Sequence, residues 1–171
     1  LAGEALVKDP DDVRALQVRA AAEAKEGRWE EARKDAARGL DLAPGYVPLL
    51  LLRAAAAAHA KDWRAVKADA QTVLAKERAN PTAWRFMGIA QAGLGERAES
   101  MGSLSRAAQY GDAESSRLLA VARSLPPGAD VVDLVEMLSG AAAEREAATA
   151  ARTAPAAAPA PRGNRTGLVR G

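Results

Sequence analysis

The chain has 171 residues, of which 49% are hydrophobic, 27% charged and 4% aromatic, with a formal net charge of +2 and no cysteine. That length suits one compact domain or a short repeat array. The composition excludes a disulfide framework and a thiolate metal site, and no run of about 20 uncharged apolar residues is present to span a bilayer.

The basic balance belongs to one end. From Ala141 onward five arginines face two glutamates, so that stretch carries +3 and the remainder −1. A nucleic-acid reader needs a basic face on its folded part, so nucleic acid is not an expected partner. Alanine dominates the apolar half, and Ala, Leu, Arg, Glu and Lys are strong helix formers. No period-two run of β-branched and aromatic residues marks a strand. The expected class is all-α.

Helices are expected over 2–8, 12–26, 29–42, 47–60, 63–77, 81–94, 97–109 and 113–124. The acidic run Asp9-Pro10-Asp11-Asp12 reads as a helix start, because acids are favoured at the positive end of the helix dipole; a metal site there is the lesser reading. Pro126-Pro127-Gly128 interrupts the series. A further amphipathic helix is expected over 130–139, with Asp130 as N-cap and Val131, Leu134, Val135 and Leu138 on one stripe. From Thr153 the sequence TAPAAAPAPRGNRTG reads as a disordered tail with polyproline II character. The opening LAGEALVKDP lacks the basic n-region and apolar core of a signal peptide. It begins inside a repeat without Met, as expected of a fragment or processed product. The compartment is therefore unassigned: cytoplasmic, or periplasmic if a signal is missing. Richness in alanine and arginine points to a GC-rich bacterial genome.

The series repeats every 34 residues. Gly27-Arg28-Trp29 recurs as Lys61-Asp62-Trp63, and Gly95-Glu96-Arg97 holds the same place again. Leu16, Leu50 and Trp84 share a column, as do Ala20, Ala54 and Gly88. Such a period marks a solenoid whose units stack on their neighbours. The unit Val13 to Tyr46, with Leu16, Ala20, the Gly27 turn, Ala32, Leu40 and Pro44, resembles the tetratricopeptide repeat. The resemblance covers roughly residues 1–125 and implies a right-handed α-solenoid of helix–turn–helix units with C-terminal capping helices. Its divisions would be the end of a preceding repeat at 1–12, repeats at 13–46, 47–80 and 81–114, capping helices at 115–152, and the tail at 153–171. The helix at 113–124 would take the place of a fourth first helix. The pattern departs at Lys61 in the turn, at Val66 and Ser100 in a small column, and at Arg78 and Asp112 where a closing proline belongs.

Arg19 and Arg53 fill a column that is usually apolar, and Asp35 and Asp69 follow each by sixteen residues. Both columns change together in the third unit, to Met87 and Ser103. The covariation reads as two structural ion pairs joining the helices of a unit, against the alternative of exposed charges.

The resemblance also implies that first helices line a concave groove. Its lining would be Arg14, Gln17, Ala21 and Lys25, then Leu51, Ala55, Ala58 and His59, then Arg85, Ile89 and Ala92. The subgroup that clamps C-terminal carboxylates uses Lys, Arg and Asn at several of these columns, whereas the central helix here has Leu51 and alanines. A carboxylate clamp is thus not expected. A shallow apolar groove suits a partner's helix or apolar peptide, with Arg14, Lys25 and Arg85 as rim charges. The competing reading has the groove narrow, or filled by 130–139. His59, the single histidine, reads as a solvated helix end, and Trp29, Trp63 and Trp84 fall in packing columns. Asn164-Arg165-Thr166 matches a glycosylation acceptor pattern.

No phosphate loop, HExxH, GxSxG or Cys–His set is present, so neither a catalytic site nor a cofactor is expected. The expected role is a non-catalytic protein-interaction scaffold binding a helix or peptide, with self-association through solenoid ends as an added possibility. The alternative is the recruiting region of a larger enzyme. Binding of nucleic acid or an anionic surface through the arginine tail ranks last; it would show steep salt dependence.

Overall fold

The structure, a computed structural model, describes residues 11–124. Among these residues it contains seven helices and no strand: α1 (Val13–Lys25), α2 (Trp29–Leu42), α3 (Val47–His59), α4 (Trp63–Lys76), α5 (Pro81–Gly93), α6 (Arg97–Gln109) and α7 (Ala113–Ser124). The expected helices from 12–26 to 113–124 are all found, within a residue at each end. Those at 2–8 and 130–139, and the tail from Thr153, lie outside the described residues.

Local chemistry sets the helix starts. The Asp12 carboxylate accepts from the amides of Arg14 and Ala15, the Asn80 side chain from Ala83, and Asp112 from Ser115, which satisfies amides the helix leaves unpaired. Proline occupies the first turn of α3 and α5, where a missing N–H costs nothing. The turns within units need a left-handed residue. Gly27 (φ 76°) and Gly95 (φ 82°) supply it at no steric cost, whereas Lys61 adopts φ 57° at a penalty of about 1–2 kcal/mol.

Each helix packs on the next, and α1 also packs on α3 and α3 on α5. Contacts are thus confined to neighbouring units, which makes the chain an all-α helical repeat. The core follows the columns. Leu16, Ala20, Ala32, Ala36, Leu49, Leu50, Ala54, Val66, Ala70 and Val73 are buried. With so many alanines each residue buries little apolar surface, at about 25 cal/mol per Å², and close approach of the helices takes the place of large side chains. α7 packs on α6 and buries Leu118 and Leu119 against Leu104. Leu118 extends the column of Leu16, Leu50 and Trp84.

The third unit solves the same packing problem differently. In units one and two, small-column residues Ala20 and Ala54 are matched sixteen residues later by Ala36 and Ala70; in unit three Gly88 is matched by Leu104. A Cβ at Gly88 would lie 2.7 Å from Leu104 Cγ and 3.2 Å from the Ser100 carbonyl oxygen. The Ser100 hydroxyl donates to the Gly88 carbonyl at 2.8 Å. Ser100, the departure from the small column, is fully buried and satisfied by this bond.

Candidate functional site

The two Arg–Asp columns form ion pairs. Arg53 holds Asp69 with two bonds, Nε at 2.9 Å and a terminal nitrogen at 2.6 Å. Arg19 holds Asp35 in the same bidentate way. Both carboxylates are buried while the arginines stay about one-third exposed. Bonding to the carboxylate raises the pKa of each guanidinium above its usual value, so these charges are fixed and join the two helices of a unit.

Unit one carries a further buried acid. Glu23 is 6% exposed, with Oε1 3.6 Å from Arg28 and 4.0 Å from Arg19, and with Oε2 buried and unbonded. Burial first, then repulsion from Asp35, pushes its pKa above the usual carboxylate value. A raised folded pKa means that the folded state binds the proton more tightly. Stability from this group is therefore complete below the unfolded pKa and is lost as pH rises through the folded one. The same column holds Ala57 and Gln91 in the next units, so a neutral residue fits. Glu23→Gln is expected to raise the melting temperature at pH 7, and that gain should vanish towards pH 4. Thermal unfolding across this range checks it; an unchanged or lower melting temperature at pH 7 would refute the assignment.

The expected groove residues divide into two groups. Arg14 and Lys25 on α1 are exposed, and Leu51, Ala55 and Ile89 are half-buried on α3 and α5. Ala21 and Ala58 are likewise half-buried, Ala92 is fully buried in the core and so does not line a groove, and the three polar residues are engaged within the chain. Gln17 accepts a hydrogen bond from the Tyr46 hydroxyl at 2.9 Å. His59 stacks on Trp29 with ring centroids 4.9 Å apart and planes at 20°. Arg85 sits 3.5 Å from Asp112, with its guanidinium 5.8 Å from the Phe86 ring. Trp63 lies against Gly93, where a Cβ would run into the indole.

Sequence reasoning missed the clefts on the other face. One cleft of about 340 Å³ is bounded by Arg33 and Ala37 of α2, Arg53 and Ala57 of α3, and Ala65, Ala68 and Asp69 of α4. Thirty-four residues on, the corresponding positions line a cleft of about 630 Å³ between α4 and α6, with Leu74, Trp84, Met87, Gln91, Gly102 and Ser103 among its walls. The smaller cleft contains the Arg53–Asp69 pair. The larger has Met87 and Ser103 in its place. Ser103 Oγ lies 2.6 Å from the Gln91 amide, which also donates to the Glu99 and Met87 carbonyls when its nitrogen faces inward. The paired change at Met87 and Ser103 was the available signal; it marked a lost ion pair and also a vacated space. Trp84 is accordingly a cleft wall under the Arg106 guanidinium, 4.7 Å from its ring centre, and not core. Lys67, on the α4 side of this cleft, bonds Glu96 at 2.8 and 2.6 Å.

Among the described residues no group of three or more His, Cys, Asp or Glu side chains is placed to hold a metal ion, and no helix is long and apolar enough to cross a membrane.

No family model matches the chain, and no curated protein matches it. Its fold resembles the crystal structure of MamA, with a TM-score of 0.66 at 15% sequence identity, over 88% of this chain and 87% of that one. The likeness extends to the fold alone and agrees with an all-α helical repeat.

Proposed function

We propose that the chain is a non-catalytic protein-interaction module of three tetratricopeptide-type units, 13–46, 47–80 and 81–114, which holds a partner's helix or apolar peptide along its first helices. The observation that carries this is the direct packing of α1 on α3 and of α3 on α5. First helices meet side by side, while the clefts between second helices open outward, so the first helices supply the inner, continuous surface. Leu51, Ala55 and Ile89 give that surface an apolar middle without deep burial. Exposed Arg14 and Lys25 add positive charge at one end. Because Gln17, His59 and Arg85 are engaged within the chain, recognition rests on apolar contact more than on those polar groups. A shallow apolar strip of this kind fits an amphipathic helix.

Affinity capture tests it. The full chain and a Leu51→Glu plus Ile89→Glu variant, matched by circular dichroism, are offered the source lysate. The protein retained by the native chain should bind the variant at least about tenfold more weakly, since central apolar anchors typically carry about 1.4 kcal/mol or more. Equal retention by a folded variant would remove the first-helix surface from consideration.

A further inference from the structure

The third unit also carries a built cleft on the opposite face, and we propose that it is a second docking site, for one large apolar side chain presented on an amphipathic helix flanked by one basic and one acidic residue. Comparison of the units within the chain makes the case. One unit earlier, the same place is occupied by the chain's own Arg53 side chain, anchored on Asp69. At unit three the plug and its anchor are both gone, replaced by Met87 and Ser103, and the space is nearly doubled. Ala68 is replaced by Gly102, and a Cβ built at Gly102 meets nothing within 4 Å. Met87, Leu74, Ala75 and the Trp84 ring make most of the remaining lining apolar, and the polar Gln91 and Ser103 in it are bonded to each other.

Charge defines the rest of the occupant. Loss of the aspartate removes the counter-ion that a buried cation would need, so the side chain that enters is uncharged. On the α6 rim, neither exposed Glu99 nor exposed Arg106 forms an ion pair among the described residues, and the Arg106 guanidinium lies over the Trp84 ring. These two stand seven residues apart on α6, about 10 Å along the helix axis. A helix lying in the gap between α4 and α6 presents residues seven apart at the same spacing on one face. Its basic residue therefore meets Glu99 and its acidic residue meets Arg106 when the apolar residue between them enters the cleft.

The test uses the full chain and stapled, fluorescein-labelled helical peptides, read by anisotropy. Each has Leu, Phe or Ala at the centre and a charged residue three positions before and four after it, in Lys/Glu, Lys/Lys or Glu/Glu combination. Lys/Glu peptides with central Leu or Phe should bind. Central Ala, or like charges, should weaken binding at least tenfold. Gly102→Leu should fill the cleft and abolish binding in a chain still folded by circular dichroism, and Glu99→Lys should transfer the preference to Glu/Glu. Leu51→Glu plus Ile89→Glu should leave this binding intact, which separates the proposal from the first-helix reading. The proposal falls if no peptide binds, or if Gly102→Leu binds as well as native. It falls equally if a peptide of residues 130–139 displaces every other, because the chain then fills its own cleft. Sedimentation showing a dimer that Gly102→Leu dissociates would assign the site to a second copy and also overturn it.

Discussion

Arg53→Met is expected to destabilise the chain by about 3 kcal/mol, and adding Asp69→Ser is expected to return most of that loss. The single change leaves a buried carboxylate without its guanidinium, and breaking a buried pair costs about 3–5 kcal/mol. Asp69 is 4% exposed, which supports that range, while the 36% exposure of Arg53 places the effect at its lower end, because solvent already screens the cation. The reverse single change, Asp69→Ser alone, should cost only about 1 kcal/mol, since Arg53 can turn to water. The asymmetry follows from which partner is buried. In the double variant no charge remains inside, but the introduced hydroxyl lacks the amide that Gln91 offers to Ser103. Ala57→Gln should supply it and recover about another 1 kcal/mol. Urea unfolding of the native chain and these four variants closes the cycle. Equal costs for the two single changes would contradict a buried aspartate.

A second cycle concerns Gly88 and Leu104. Leu104 is fully buried beneath α5 and against Leu118 and Leu119, so Leu104→Ala should cost about 2–5 kcal/mol through lost burial and the cavity left behind. Gly88→Ala in the native chain should also destabilise. Overpacking against Leu104 costs about 1–3 kcal/mol and exceeds the helix-propensity gain of about 1 kcal/mol. In the Leu104→Ala background the sign should reverse, because the pair then matches Ala20 with Ala36 and Ala54 with Ala70, and the new methyl enters the cavity. Thermal unfolding measures the change of sign. Additive effects would mean that the two residues do not share one space.

Most of the scaffold was legible because repetition turns each residue into one of a column. The turn residues, the small residues at helix crossings and the helix starts can each be checked against two other copies, and Lys61 stands out in a glycine column by sequence alone. The Arg–Asp pairs were legible for the same reason, since both partners change together at Met87 and Ser103. Contacts between unlike columns, within a unit or across two, were not. Arg85 with Asp112, Gln17 with Tyr46 and His59 with Trp29 join columns that no periodic pattern ties together. These three withdraw polar residues from the expected groove and leave its apolar part. The outer cleft was hidden in another way. Replacement of an ion pair by Met87 and Ser103 reads in sequence as lost charge, while the vacated volume depends on how far α4 and α6 stand apart.

The central claim is that a partner lies along the first helices, and placing a photo-crosslinking residue at Ala55 tests it most directly. Irradiation of the full chain in source lysate should join it to a protein partner at Ala55, with Leu51→Glu in the same chain abolishing the adduct and a crosslinker at Glu30, on the second helix of unit one, giving none. An adduct at Glu30 but not at Ala55, or one at Ala55 that survives Leu51→Glu, would contradict the account.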